Sequence, residues 1–285
     1  MTRRWRSSRS RHCWAGCIYA ARRLPSRVAW LVLALLLAAA PARAQDVWLE
    51  RMTWPEVRVA LDGGVDTVLV PFGGTEQGGP HLVLGKHNHV VAAAAERAAR
   101  RLGGVLVAPV LPFAPAGAHS PADGHMRYAG TISLRAATYV SLAADVAISM
   151  KVHGVPIIAF VADHGEGQAE LAELARQLDA VWRPTGTRVL HIAAYHGANG
   201  QGEWLRGQGL PDAAIGRHAG LRDTAELMHV YPDGVRRDRL QPSAADQGSD
   251  GEPERADAGL GGTMLALKVD TIVAAIETAR QERQP

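Results

Sequence analysis

Cysteine is the first absence. Only Cys13 and Cys17 occur among 285 residues, and both lie in an N-terminal stretch that reads as a removable leader. The remaining chain then makes no disulfide and offers no thiolate, so any metal must be held by imidazole and carboxylate. Acidic residues are missing from the first 44 positions, which carry nine Arg and an apolar run from Val28 to Ala40. Basic segment, apolar segment, then Ala42-Arg43-Ala44 before Gln45-Asp46 is the layout of a secretory signal, with cleavage expected after Ala44. That run falls short of the roughly 18 to 20 residues that span a bilayer, so a cleaved signal is preferred to a lasting anchor. Arg22-Arg23 leaves the twin-arginine route open beside the general one.

A basic surface is missing too once the leader is set aside. Nine of the 31 basic residues leave with it, so 22 stand against 28 acidic ones, a net charge of about −6. Nothing in that balance argues for nucleic acid or for an anionic membrane surface. Internal repeats and long low-complexity linkers are also lacking. Residues 45–285 are therefore expected to form one domain of periplasmic location.

What is present is an alternation. Apolar, β-branched runs at 66–71, 105–109 and 156–161 suit strands buried on both faces, and a fourth strand is expected at 187–193. Alanine-rich stretches of helical period lie between them, at 89–102, 136–153 and 168–182, and a C-terminal helix is expected at 269–283. This order predicts an α/β fold of three α/β/α layers with a mostly parallel central sheet. Segments 195–217 and 236–260, rich in Gly, Pro and Asp, read as long loops.

Open α/β sheets bind ligands beyond the carboxyl ends of their strands. Two loops stand there. In residues 73–89 one carboxylate and three imidazoles fall within 14 residues, on a backbone with five glycines. In Ala162-Asp163-His164-Gly165-Glu166-Gly167, His164 and Glu166 share a side if the chain is extended. Neutral imidazole and carboxylate suit Zn2+ or Mn2+, so the two loops form a candidate metal pocket.

The segment from Pro71 to His89 resembles the first motif of the creatininase (creatinine amidohydrolase) family, Gly-Ser-x-Glu-x-His-Gly-Pro-His-Leu-Pro-Leu-x-x-Asp. Further matches follow in order. Ala129-Gly130-Thr131-Ile132-Ser133 resembles the family's Pro-Gly-Thr-Ile-Ser, residues 161–167 its Asn-Gly-His loop, and His218-Ala219-Gly220 to Thr224 its His-Ala-Gly-x-x-Glu-Thr. Gly251-Glu252-Pro253 resembles its late Gly-Asp-Pro.

The resemblance implies metal ligation by Glu76, His164 and Glu166. Two ligand positions depart from it: Gly78 replaces a histidine, and His87 replaces a metal-bridging aspartate. An imidazole has one lone pair to give where a carboxylate has two oxygens. One ion held by Glu76, His87 and His164 is thus expected, with a second left open. Glu166 either completes a weaker second site or acts as base. His218 is expected to pass a proton to a leaving nitrogen from a pKa near neutrality, Asp223 to orient it or steady the local fold, and His81 to play an orienting part. His89 and His119 are candidates to replace the lost ligand. The implied activity is hydrolysis of a C–N amide bond, in a cyclic amide, formamide or small peptide-like substrate, by metal-activated water. Creatinine itself is not the expected substrate of an exported protein. The alternative is a non-catalytic binding or scaffold protein that kept the fold. The resemblance also implies a homo-oligomer, with a hexamer among the options.

Overall fold

The computed structural model describes residues 46–243 and 247–283; the leader expected over 1–44 lies outside them. Four strands form one sheet in the order β2-β1-β3-β4, with every neighbouring pair parallel. They are β1 Thr67–Phe72, β2 Val105–Val107, β3 Ile157–Ala162 and β4 Arg188–His191. The α-helices among the described residues are α1 Trp54–Asp62, α2 Lys86–Leu102, α3 Ala136–Val152, α4 Gln168–Trp182, α5 Ala194–Gly197, α6 Gln201–Gly207, α7 Asp212–Ile215, α8 Leu221–Val230 and α9 Ala258–Gln281.

β1 and β3 are buried at every residue, because a parallel sheet covered on both sides has no solvent face to impose alternation. The pleat still sorts the side chains. Leu69, Val107, Ile157, Ala159 and Val161 share a core with Val90, Ala94 and Ala98 of α2 and with Leu265, Ile272 and Ile276 of α9. Val68, Val70, Phe72, Ile158 and Phe160 pack the other way, onto Ala60 of α1, Tyr139 and Ala143 of α3 and Leu171 of α4. The expected three layers follow from this division.

Several boundaries differ from expectation. α2 starts at Lys86, ahead of His89, with Gly85 as its N-cap, so Lys86 and His87 sit in a helical first turn. α9 starts at Ala258 and not at Val269. The Asp257 carboxylate caps it, accepting from the Gly259 and Leu260 N–H groups at 2.7 and 2.9 Å. Gly261 and Gly262 lie inside this helix although a glycine costs a helix about 1 kcal/mol. Gly261 is spent on close approach: a Cβ there would strike the Ala225 carbonyl of α8. By length and composition α9 could cross a membrane, yet its apolar face lies in the core. The expected loop at 195–217 holds most of α5 and all of α6 and α7; Leu205 of α6 and Ile215 of α7 pack with Leu221 and Met264.

The chain goes from β1 to β2 on one side, and β3 later joins β1 on the other. The connections thus diverge where the carboxyl ends of β1 and β3 meet, at the Phe72–Ala162 pair.

Candidate metal centre

Two loops leave the sheet at that divergence and hold each other in place. The Asp163 N–H donates to the Phe72 carbonyl at 3.0 Å, and the Glu76 N–H to the Leu84 carbonyl at 3.0 Å. Gly74 lies directly against His164: a Cβ at 74 would come within 2.7 Å of the ring Cδ2. Only glycine admits the imidazole at this depth.

The Glu76 carboxylate, 2% exposed, is the hub. Its Oε1 lies 2.9 Å from His87 Nε2 and its Oε2 lies 2.6 Å from His164 Nε2. The structure therefore brings Glu76, His87 and His164 together, with donor atoms all within 4.8 Å of one another. Each outward ring nitrogen is also held. His87 Nδ1 meets Asp163 Oδ2 at 2.7 Å, a carboxylate partner that aims Nε2 inward. His164 Nδ1 lies 3.3 Å from the Glu166 carbonyl and 3.3 Å from its Oε2. One oxygen and two nitrogens pointing to a common place, each imidazole fixed from behind, fit a divalent Zn2+ or Mn2+ ion.

The electrostatics agree with the geometry. Burial alone would raise the Glu76 pKa, but hydrogen bonds from His164 and His87 and the charge of Lys86 hold it well below the usual carboxylate range. Burial and Lys86 press the His87 pKa down, and the hydrogen bonds to Asp163 and Glu76 outweigh them and raise it. Asp163 is kept ionised against burial by Lys268 and His87. Lys268, from the middle of α9, places Nζ 2.7 Å from Asp163 Oδ1 and 2.9 Å from Glu226 Oε2. Tyr195 donates its hydroxyl to Asp163 Oδ1 at 2.8 Å. A continuous buried line thus runs from α9 through Asp163 and His87 to Glu76.

A second trio shares the hub. His125 Nε2 lies 3.5 Å from Glu76 Oε2, and His218 Nδ1 lies 3.7 Å from Oε1. Their rings are 4.4 Å apart, and Gln77 Nε2 stands 2.8 Å from His125 Nδ1 and 2.9 Å from His218 Nε2. Burial, helped by Lys86, lowers the His218 pKa to about 4, not near neutrality as expected, so its imidazole is neutral at pH 7.

Other expectations change as well. Asp223 does not bond His218; it pairs with Lys86 Nζ at 2.5 Å and accepts the Ala219 N–H at 3.0 Å. Glu166, its side chain 56% exposed, sits on the far nitrogen of His164 and belongs to neither trio. His81 meets Thr224 Oγ1 at 3.0 Å and ties its loop to α8. His89 stacks on Tyr231 at 4.2 Å and His119 Nε2 meets the Ser133 carbonyl at 3.0 Å, so neither replaces the lost ligand. Sequence reasoning missed His125, Lys86, Asp163 and Lys268. For His125 the one available signal was its place just before the Ala129-Gly130-Thr131 match.

A cavity of about 540 Å3 opens onto the centre, lined among others by Glu76, Lys86, His125, Glu166 and His218. A hollow of about 630 Å3 beside α4 and β4 is lined by Arg176, Asp179, Arg183 and His191 among alanines and other apolar residues, and neither trio reaches it.

Comparison with known proteins fits this picture. The family model described as creatininase, creatinine amidohydrolase, matches residues 50–276. A mycofactocin precursor peptide peptidase of Mycobacterium ulcerans is 31% identical over 68% of this chain, and one of Mycolicibacterium smegmatis 30% identical over 63%. The chain spans 65% and 64% of the length of those two relatives. Creatinine amidohydrolase of Pseudomonas putida is 24% identical over 69% of this chain and 76% of its own length. Among solved structures, creatininase superimposes with a TM-score of 0.68 at 23% identity, covering 84% of this chain and 99% of that one. Other creatininase structures are described as Mn-containing and as Zn–Zn type. With the match reaching from α1 to the last turns of α9, the chain belongs to the creatininase family.

Proposed function

We propose that this protein hydrolyses a carbon–nitrogen amide bond, using a divalent ion held by Glu76, His87 and His164, and that its substrate is a small peptide-like amide. The observation that carries the reading is the meeting of those three side chains beyond β1 and β3. A bound Zn2+ or Mn2+ supplies Lewis acidity toward a carbonyl oxygen and a lowered pKa for water. The rest falls to the chain. His218, neutral at pH 7, lines the cavity with one ring nitrogen unprotonated, its Nε2 held 3.0 Å from the Gln77 carbonyl and 2.9 Å from the Gln77 side-chain amide nitrogen. In that state it takes the proton that attacking water loses and returns it to the departing nitrogen, work worth on the order of 10² to 10⁴ in rate. Glu166 steadies His164 from behind and leaves a carboxylate at the cavity wall, where it favours a substrate with a positive amine.

The higher identity to the peptide peptidases than to the creatinine enzyme supports peptide-like amides over creatinine. The acid-free, arginine-rich start supports action after export with residues 1–44 removed. To test the reading, the purified protein is stripped with chelator, reloaded with Zn2+ or Mn2+, and assayed on short peptides, lactams and N-formyl compounds. Turnover that vanishes with the metal and returns with it is expected. A protein that retains a divalent ion yet turns over no amide would instead be the binding or scaffold protein that Gly78 and His87 suggest, and one that retains none at micromolar concentration ends the metal-hydrolase assignment.

A further inference from the structure

A second positive charge is built into the wall of the centre. The Lys86 side chain is 3% exposed, with Nζ 2.5 Å from Asp223 Oδ2 and 3.9 Å from Glu76 Oε1. Asp223 is itself anchored by the Ala219 N–H, and the lysine faces the same cavity as His218. Its stem runs through the space above Gly78. A Cβ at 78 would sit 3.6 Å from Lys86 Cδ and 2.9 Å from Leu82 Cβ. A side chain at position 78 would press on Leu82 and lie in van der Waals contact with the lysine stem.

The trio of Glu76, His125 and His218 is the looser of the two places for a cation, with its imidazoles 3.5 and 3.7 Å from the shared carboxylate. The Gln77 amide is oriented by the Gly79 N–H, which donates to Oε1 at 2.8 Å, so its Nε2 is the donor facing His125 Nδ1. An imidazole that accepts at Nδ1 carries its proton on Nε2. That atom faces Glu76 from 3.5 Å, farther than the 2.6 and 2.9 Å at which His164 and His87 meet the same carboxylate. His218 is then left with a carboxylate already shared by His87, His164 and Lys86.

We infer that this centre takes a single divalent ion, and that the Lys86 ammonium stands where a second cation would, as a fixed charge for the oxygen of the amide under attack. The inference rests on the hydrolase reading above. When water oxygen bonds to the carbonyl carbon, the carbonyl oxygen gains a negative charge; when the C–N bond breaks, its electron pair leaves with nitrogen, which takes its proton from His218. Lys86 neither gains nor loses a proton in this sequence. A buried charge already in place at the cavity wall stabilises the oxyanion with little reorganisation at the moment of reaction. The contrast is with the relative described as Zn–Zn type.

The test starts from the unaltered protein, saturated with Zn2+, desalted and counted for ions per chain by elemental mass spectrometry, with a parallel Mn2+ sample read by electron paramagnetic resonance. One ion per chain and an uncoupled Mn2+ spectrum are expected. Two ions or an exchange-coupled pair overturn the inference and leave the hydrolase reading standing; no ion overturns both. Lys86→Met is expected to keep the single ion and to bind acetohydroxamate, an oxyanion-bearing amide mimic, at least about tenfold more weakly. Unchanged acetohydroxamate affinity overturns the role given to the lysine. Should Lys86→Met fail to melt cooperatively, Lys86→Gln carries the same measurement.

Discussion

Gly74 sets how deep His164 can sit. A methyl group there overlaps the ring edge, so Gly74→Ala should swing Nε2 away from Glu76 while the sheet below stays intact. The expected result is ion binding weakened by about 10- to 100-fold, as for other losses of ligand orientation, with little change in thermal unfolding. Calorimetric titration beside a melting curve measures both, and unchanged affinity refutes the steric role. His191 is a different residue-scale case. Neither ring nitrogen meets a partner among the described residues, and burial, with a smaller push from His196, lowers its pKa from 6.5 to about 4. The unfolded chain accepts a proton near 6.5 that the fold refuses until about 4, so stability is flat above that window and falls as pH drops through it. Between pH 7 and 5 the loss is about 2 kcal/mol. His191→Leu should remove this part of the slope in urea unfolding; an unaltered slope would show that other groups cause it. At this scale the sequence showed Glu76, His87 and His164, because a carboxylate and imidazoles in glycine-rich loops at strand ends are a local pattern. Lys86, His125 and Asp163 were opaque because each is defined by a partner far along the chain.

The element that most shapes the centre without belonging to it is α9. Its Lys268 joins Asp163 to Glu226, and Asp163 fixes His87. Lys268→Met leaves two buried carboxylates without their cation, so a loss of about 3–5 kcal/mol is expected in chemical unfolding. Adding Glu226→Gln should recover part of it by removing one of the stranded charges. If the double variant is no more stable than the single, the lysine is not the counter-ion for both. Strands β1 and β3 and helices α3 and α4 were legible to within about a residue, since long runs of one period leave few alternatives. The first turns of α9 and the short helices α5 to α7 were not. Their glycines and prolines argue for loops locally, and the packing of Gly261 on α8 and of Leu205 on Met264 decides otherwise.

For the whole molecule, the charge balance turns on the leader. With residues 1–44 attached the chain is net positive at +3; without them it carries about −6. Mass spectrometry of the protein recovered from an exporting cell should find Gln45 as the first residue, in the extracytoplasmic fraction and with an acidic isoelectric point. Intact Met1 in the cytoplasm would refute the export proposal. The cysteine-free remainder should also melt at the same temperature with and without reductant.

The N–H groups that His87 and His164 donate into Glu76 place protons on the nitrogens a metal would need. Filling the pocket is therefore a trade, one cation in and at least one hydrogen ion out, with affinity steepening by about a decade per pH unit for each ion surrendered. Acid empties it and alkali arms it. If the export proposal holds, the sourness of the surroundings governs how many copies carry the ion as firmly as the supply of metal does.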